Sequence, residues 1–82
     1  MTAIVWTQAN CSYCEQAKSL LTLKGIPFEV RIVNGKDWTK EQLLSAVPGA
    51  RSVPQVFLNE NYVGGFNELK KYFEREPHNA NQ

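Results

Sequence analysis

With 82 residues, 43% of them hydrophobic, the chain is sized for one domain, and its composition excludes a disordered polypeptide. Its formal net charge of +1 provides no strong field for nucleic acid or an anionic membrane. No apolar run approaches the length of a membrane span and no basic-then-apolar leader opens the chain, so a cytoplasmic protein is expected.

In chain order, Thr2 to Thr7 carries successive apolar residues, Ala3-Ile4-Val5-Trp6, which predicts a central strand covered on both faces. Asn10-Cys11-Ser12-Tyr13-Cys14 follows, holding both cysteines of the chain. Asn10 and Ser12 are helix-capping types, and Ser12-Tyr13-Cys14-Glu15 matches a capping box in which Glu15 reaches back to the helix start. Tyr13, Ala17, Leu20 and Leu21 form the apolar stripe of that helix, and Gly25 with Ile26-Pro27 ends it. Phe28 to Val33 alternates Phe28, Val30 and Ile32 with Glu29 and Arg31, a strand with one face less buried.

Asn34-Gly35 reads as a turn. Thr39-x-x-Gln42 is a second capping box, opening a short helix with Leu43, Leu44 and Val47 inward, and Pro48-Gly49 stops it. Gln55 to Leu58 is a short strand, Asn59-Glu60-Asn61 a tight turn, and Tyr62-Val63 a return strand. Phe66, Leu69 and Phe73 mark a last helix, and residues 77–82 form a polar tail outside the domain of residues 1–76. The order is β-α-β-α-β-β-α, with the first two strands parallel and the last two a hairpin. Together with the cysteine motif it predicts an α/β protein of thioredoxin-like fold, a four-stranded mixed sheet flanked by three helices.

Cys-x-x-Cys spacing puts two thiols within disulfide reach. A helix N-terminus, with its unpaired N–H groups and the positive end of the macrodipole, stabilises a thiolate at the first of them. The thiolate is the nucleophile of disulfide exchange, so the motif points to redox chemistry. A structural zinc site needs four ligands, whereas one chain offers these two thiols and His78 in the tail. Trp6 and Trp38 are expected to pack on the sheet, and Lys36, Lys40, Lys70 and Lys71 to be solvated.

Three segments carry a resemblance to the glutaredoxins over about the first 75 residues. Cys11-Ser12-Tyr13-Cys14 is similar to that family's Cys-Pro-Tyr-Cys, and Ser52-Val53-Pro54-Gln55-Val56-Phe57 to its Thr-Val-Pro-x-x-Phe. Gly64-Gly65-Phe66-Asn67-Glu68-Leu69 resembles its Gly-Gly turn into the last helix. The resemblance implies a glutathione-dependent thiol–disulfide oxidoreductase, an electron-transport protein acting on disulfide-containing or glutathionylated proteins. Cys11 would be the nucleophile and Cys14 the resolving thiol, with glutathione as co-substrate, no tightly bound cofactor, and a monomer as the working state. Val53, before a cis Pro54, would pair with the peptide of glutathione. Without the resemblance Pro54 would be assigned trans, the common state of X–Pro bonds.

Gly65, Phe66 and Asn67 would receive the γ-glutamyl end, Tyr13 would line the groove, and Arg51 or Gln55 would face the glycine carboxylate. Gln8 stands where the family often has lysine, and Asn67 where it often has an acid, so each removes a charge from the expected site. Two alternatives accompany this reading. One is a thioredoxin-like electron donor to a reductase such as ribonucleotide reductase. The other is a dimer holding a [2Fe–2S] cluster with Cys11 of each chain and two glutathiones, which Ser12 would permit by freeing the motif from the family's proline.

Overall fold

The apolar run near the start forms β1 (Ala3–Thr7) at the centre of the sheet, where both of its faces are covered. The structure, a computed structural model, describes residues 1–75. The expected domain end at residue 76 and the tail of residues 77–82, with His78, lie outside the described residues. The other elements are α1 (Ser12–Leu23), β2 (Phe28–Ile32), α2 (Lys40–Ala46), β3 (Gln55–Leu58), β4 (Asn61–Gly64) and α3 (Phe66–Glu74). The strand order is β2-β1-β3-β4; β1 runs parallel to β2 and antiparallel to β3, and β3 and β4 form a hairpin. The expected thioredoxin-like architecture is therefore present, three helices on a four-stranded mixed sheet.

Alternation along β1 divides the core. Ala3 and Val5 point to the face carrying α1 and α3, where they meet Ala17, Leu21, Val56, Leu58, Leu69 and Phe73. Trp6 points to the opposite face and packs with Leu43 and Val47 at α2, flanked by Trp38 and Phe57. The Trp6 and Trp38 rings meet edge to face, 5.1 Å between centroids. The capping box at Thr39 forms as expected: Thr39 Oγ1 accepts from the Gln42 N–H, and Gln42 Oε1 accepts from the Thr39 N–H.

Four local expectations are corrected. Helix α1 is capped by Cys11, not by Ser12, and Glu15 pairs with Lys18 at 2.7 Å instead of reaching back to the helix start. The helix begins one residue earlier than the capping box implies, with the Glu15 N–H bonded to the Cys11 carbonyl, so Cys11 takes the capping position. Tyr13 is 58% exposed and leaves the core stripe, whose buried members are Cys14, Ala17 and Leu21. On the edge strand β2, Val30 and Ile32 are exposed while Arg31, like Phe28, is partly covered. The Arg31 guanidinium lies 4.3 Å from the Trp38 ring centroid and 5.2 Å from that of Trp6 on the α2 face, while Val30 and Ile32 alternate to the opposite face at the sheet edge. The hairpin loop is also tighter than expected, two residues, Asn59 and Glu60, both at positive φ.

Leu69 joins α3 to the sheet and is completely buried, whereas Leu23 on α1 is 79% exposed. Leu69→Ala should lower the free energy of unfolding by about 3 kcal/mol through lost burial and a cavity. Leu23→Ala should stay within about 0.5 kcal/mol of the parent in the same urea titration.

Candidate active site

Each part of the site sits at the same end of the sheet because β1 and β3 are antiparallel. Trp6 near the end of β1 is paired with Gln55 at the start of β3. The chain leaving β1 turns through Asn10, in the left-handed region at φ 58, and enters α1 at Cys11. The chain entering β3 arrives through a cis Val53–Pro54 bond, as the resemblance implied. Two segments 42 residues apart thus meet, with Cys11 Sγ 3.7 Å from the Val53 carbonyl oxygen.

Cys11 and Cys14 are joined as a disulfide, with Cα atoms 5.2 Å apart across the first turn of α1. The Cys14 N–H donates to Cys11 Sγ at 3.1 Å, so the sulfur serves as the helix cap. Such a donor, with the positive helix end, stabilises negative charge on that sulfur once the disulfide is reduced. Cys11 is partly exposed whereas Cys14 is fully buried. Ser12 begins the helix exposed, its hydroxyl accepting from Gln16 Nε2 at 3.3 Å.

Beside the disulfide runs a groove of about 220 Å³, lined by Tyr13, Ser52, Val53, Pro54, Gly65, Phe66, Asn67 and Glu68. Six of the residues singled out in the sequence, from Tyr13 to Asn67, therefore come together around one space. The Tyr13 ring stacks on that of Phe66, 5.9 Å between centroids, and forms one wall. Arg51 is placed elsewhere: it lines an adjoining groove with Gln8, Lys40, Ser52 and Val53. Gln55 turns inward, donating from Nε2 to the Ser52 carbonyl at 2.9 Å and accepting at Oε1 from the Tyr62 hydroxyl. Its side chain is buried rather than open to a ligand. Burial first, and then the charge of Glu68, push the Tyr62 phenol above its ordinary value, so it keeps the proton that it donates.

Sequence reasoning missed Glu68 and Lys40. The Glu68 carboxylate accepts from the Gly65 N–H at 2.9 Å, closing the start of α3. Glycine at that position cannot return a side-chain bond, so only half of a capping box forms. The spacing of Gly65 and Glu68 carries that signal, since the acid stands three residues after the helix cap. Nothing in the sequence marks Lys40, which reaches the adjoining groove only because α2 packs beside the Ser52 loop. Among the described residues no helix is long and apolar enough to cross a membrane, and no three of His, Cys, Asp and Glu gather as around a metal ion.

The family model described as glutaredoxin matches residues 3–63. A stretch of the hybrid peroxiredoxin hyPrx5 of Haemophilus influenzae is 42% identical over 69 residues, 84% of this chain but only 28% of that protein. Glutaredoxin 1 of Rickettsia conorii is 38% identical over 69 residues, which span 83% of this chain and 68% of the relative. Among solved structures, a buckwheat glutaredoxin–glutathione complex superposes with a TM-score of 0.74 at 24% identity, covering 88% of this chain and 67% of that one.

The wall formed by α3 depends on Gly64, at φ +128, where an added Cβ would stand 2.8 Å from Cβ and Cγ of Glu68. Gly35, at φ +81, has open space at the same point. Gly64→Ala should therefore destabilise the protein by at least about 1 kcal/mol more than Gly35→Ala in thermal unfolding. Equal effects would mean that Glu68 swings aside without cost.

Proposed function

Because this chain belongs to the glutaredoxin family and is a thiol–disulfide oxidoreductase, we propose that it works with glutathione, through Cys11 as nucleophile and Cys14 as resolving thiol. The observation that carries the reading is the approach of Cys11 Sγ to the Val53 carbonyl beside an open groove. A peptide chain laid along Val53 finds an unpaired main-chain edge there, and its own sulfur can be held in line with Cys11. Glutathione has that form, a short peptide with cysteine in the middle.

In the one-thiol route, the Cys11 thiolate attacks the glutathione sulfur of a protein–glutathione mixed disulfide. The protein thiolate leaves and takes up a proton, and Cys11 now carries glutathione. A second glutathione, as thiolate, attacks the bound glutathione sulfur, giving glutathione disulfide and returning the Cys11 thiolate. Against a protein disulfide, Cys11 forms a mixed disulfide with one protein sulfur and releases the other. Cys14 then attacks Cys11 Sγ, frees the protein thiol and leaves the internal disulfide, which two glutathiones reduce.

The grooves support one orientation. The γ-glutamyl end lies at Gly65, Phe66 and Asn67, with the Glu68 carboxylate near its ammonium. The glycine carboxylate extends past Ser52 and Val53 into the adjoining groove, where Arg51 and Lys40 supply positive charge beside Gln8. Both missing charges are thus replaced from other positions. The match within a hybrid peroxiredoxin supports a glutathionylated peroxiredoxin as a protein substrate to test early.

Glutathione-driven reduction of a glutathionylated peptide tests the reading. Cys11→Ser should fall to the uncatalysed rate while Cys14→Ser retains most of the activity. A wild-type protein that is inert with glutathione but active with a thioredoxin-type reductase would overturn it. Lys40→Ala and Arg51→Ala should each raise the KM for glutathione by roughly two- to fivefold, an effect that high salt removes.

A further inference from the structure

Gln55 and Thr7 are the buried polar side chains among the described residues. Gln55 stands immediately after Pro54, at the first position of β3. Its amide is used at both ends, by the Ser52 carbonyl and by the Tyr62 hydroxyl. The partners leave one arrangement. A carbonyl oxygen only accepts, so the NH₂ of Gln55 must face Ser52, and the hydroxyl must then donate to the oxygen. The Ser52 carbonyl therefore decides which way the amide points, and the Tyr62 hydroxyl holds its other end.

The relay matters because it holds the Ser52 carbonyl by a hydrogen bond, whereas Val53 is held by packing against the α2 core and Pro54 by burial. No main-chain to main-chain hydrogen bond engages residues 51–54 among the described residues, since β3 begins only at Gln55. Yet this loop carries the Val53 edge that faces Cys11. Tyr62 itself is anchored on β4, opposite Phe57 in the strand pairing and with its ring 5.4 Å from that of Phe57.

We propose that Tyr62 is a positioning residue for the substrate-pairing edge of Val53, acting through the Gln55 amide that holds Ser52; the role rests on the glutathione reading above. It touches no reacting atom. Its effect is to keep the loop in the one conformation that a peptide ligand can pair with, so its loss raises KM and leaves the chemical step alone.

The test combines kinetics with backbone relaxation measured by NMR. Tyr62→Phe keeps the ring and should remain folded, as a thermal melt would verify. It should raise the KM for a glutathionylated peptide about fivefold, the equivalent of one lost neutral hydrogen bond, with kcat unchanged. Gln55→Glu sets an acceptor against the Ser52 carbonyl and should raise KM at least as much. The double variant should be no worse than Gln55→Glu alone, because both changes break one relay. The 15N order parameter of the Val53 amide should fall in Tyr62→Phe. An unchanged KM in folded Tyr62→Phe, a loss confined to kcat, or additive effects would overturn the proposal. If the wild-type protein shows no activity with glutathione, the functional reading falls separately. The Val53 order parameter then decides the positioning role alone, lowered in its favour and unchanged against it.

Discussion

Antiparallel pairing of β1 with β3 determines where chemistry is possible in this chain. The pairing sets Trp6 opposite Gln55, so the exit from one strand and the entry to the other lie side by side at one end of the sheet. Cys11 follows five residues after the first and Val53 precedes the second by two. Everything in the site is a short excursion from that register. A slip of one residue would turn Trp6 out of the α2 core and Val5 out of the α1–α3 core, which makes the register costly to lose. The two cores thus lock the position of the cysteine even though neither is part of the groove.

Division of labour between the faces follows from the same strand. The α1–α3 face holds most of the fully buried side chains and delivers both the cysteine helix and the Gly65 wall. The α2 face is smaller and built around two indoles, with Arg31 lying over them. It delivers Lys40 and the underside of the Ser52 loop, hence the positive side of the adjoining groove. In the proposed orientation, charge missing at Gln8 and Asn67 is supplied in space by Lys40, Arg51 and Glu68. A charge count at aligned positions therefore understates how polar the neighbourhood is.

Much of this was legible in the sequence where one cause dominated. The unbroken apolar run of β1, the Thr39 capping box and the positions of Leu69 and Phe73 each follow from a period or a local hydrogen bond. The cis bond at Pro54 and the gathering of Tyr13, Val53, Pro54, Gly65, Phe66 and Asn67 were expected from the resemblance, not from the residues' own preferences. What stayed hidden depends on competition between partners distant in sequence. Ser12 is not the cap because the helix begins one residue earlier, with the Glu15 N–H on the Cys11 carbonyl. Tyr13 left the helix stripe because the Phe66 ring, 53 residues later, was a better surface for it. Arg31 is partly covered because two indoles lie within reach on its own face of the sheet. Gln55 was open to a ligand role on paper, and only the closeness of Ser52 and Tyr62 turned it inward.

The unequal burial of the two cysteines has a consequence for the order of events. With Cys14 wholly enclosed and Cys11 at the surface, no bulky disulfide can meet the second sulfur first. In the proposed cycle the mixed disulfide on Cys11 then stands between two competitors. One is glutathione arriving from solution at its bulk concentration. The other is a thiol in the same helix turn, whose effective concentration is set by the chain and not by the cell. Which of them wins is a branching ratio, and the stiffness of one helical turn sets it. A rising glutathione pool would shift the same molecule from two-thiol to one-thiol turnover with no change in its structure.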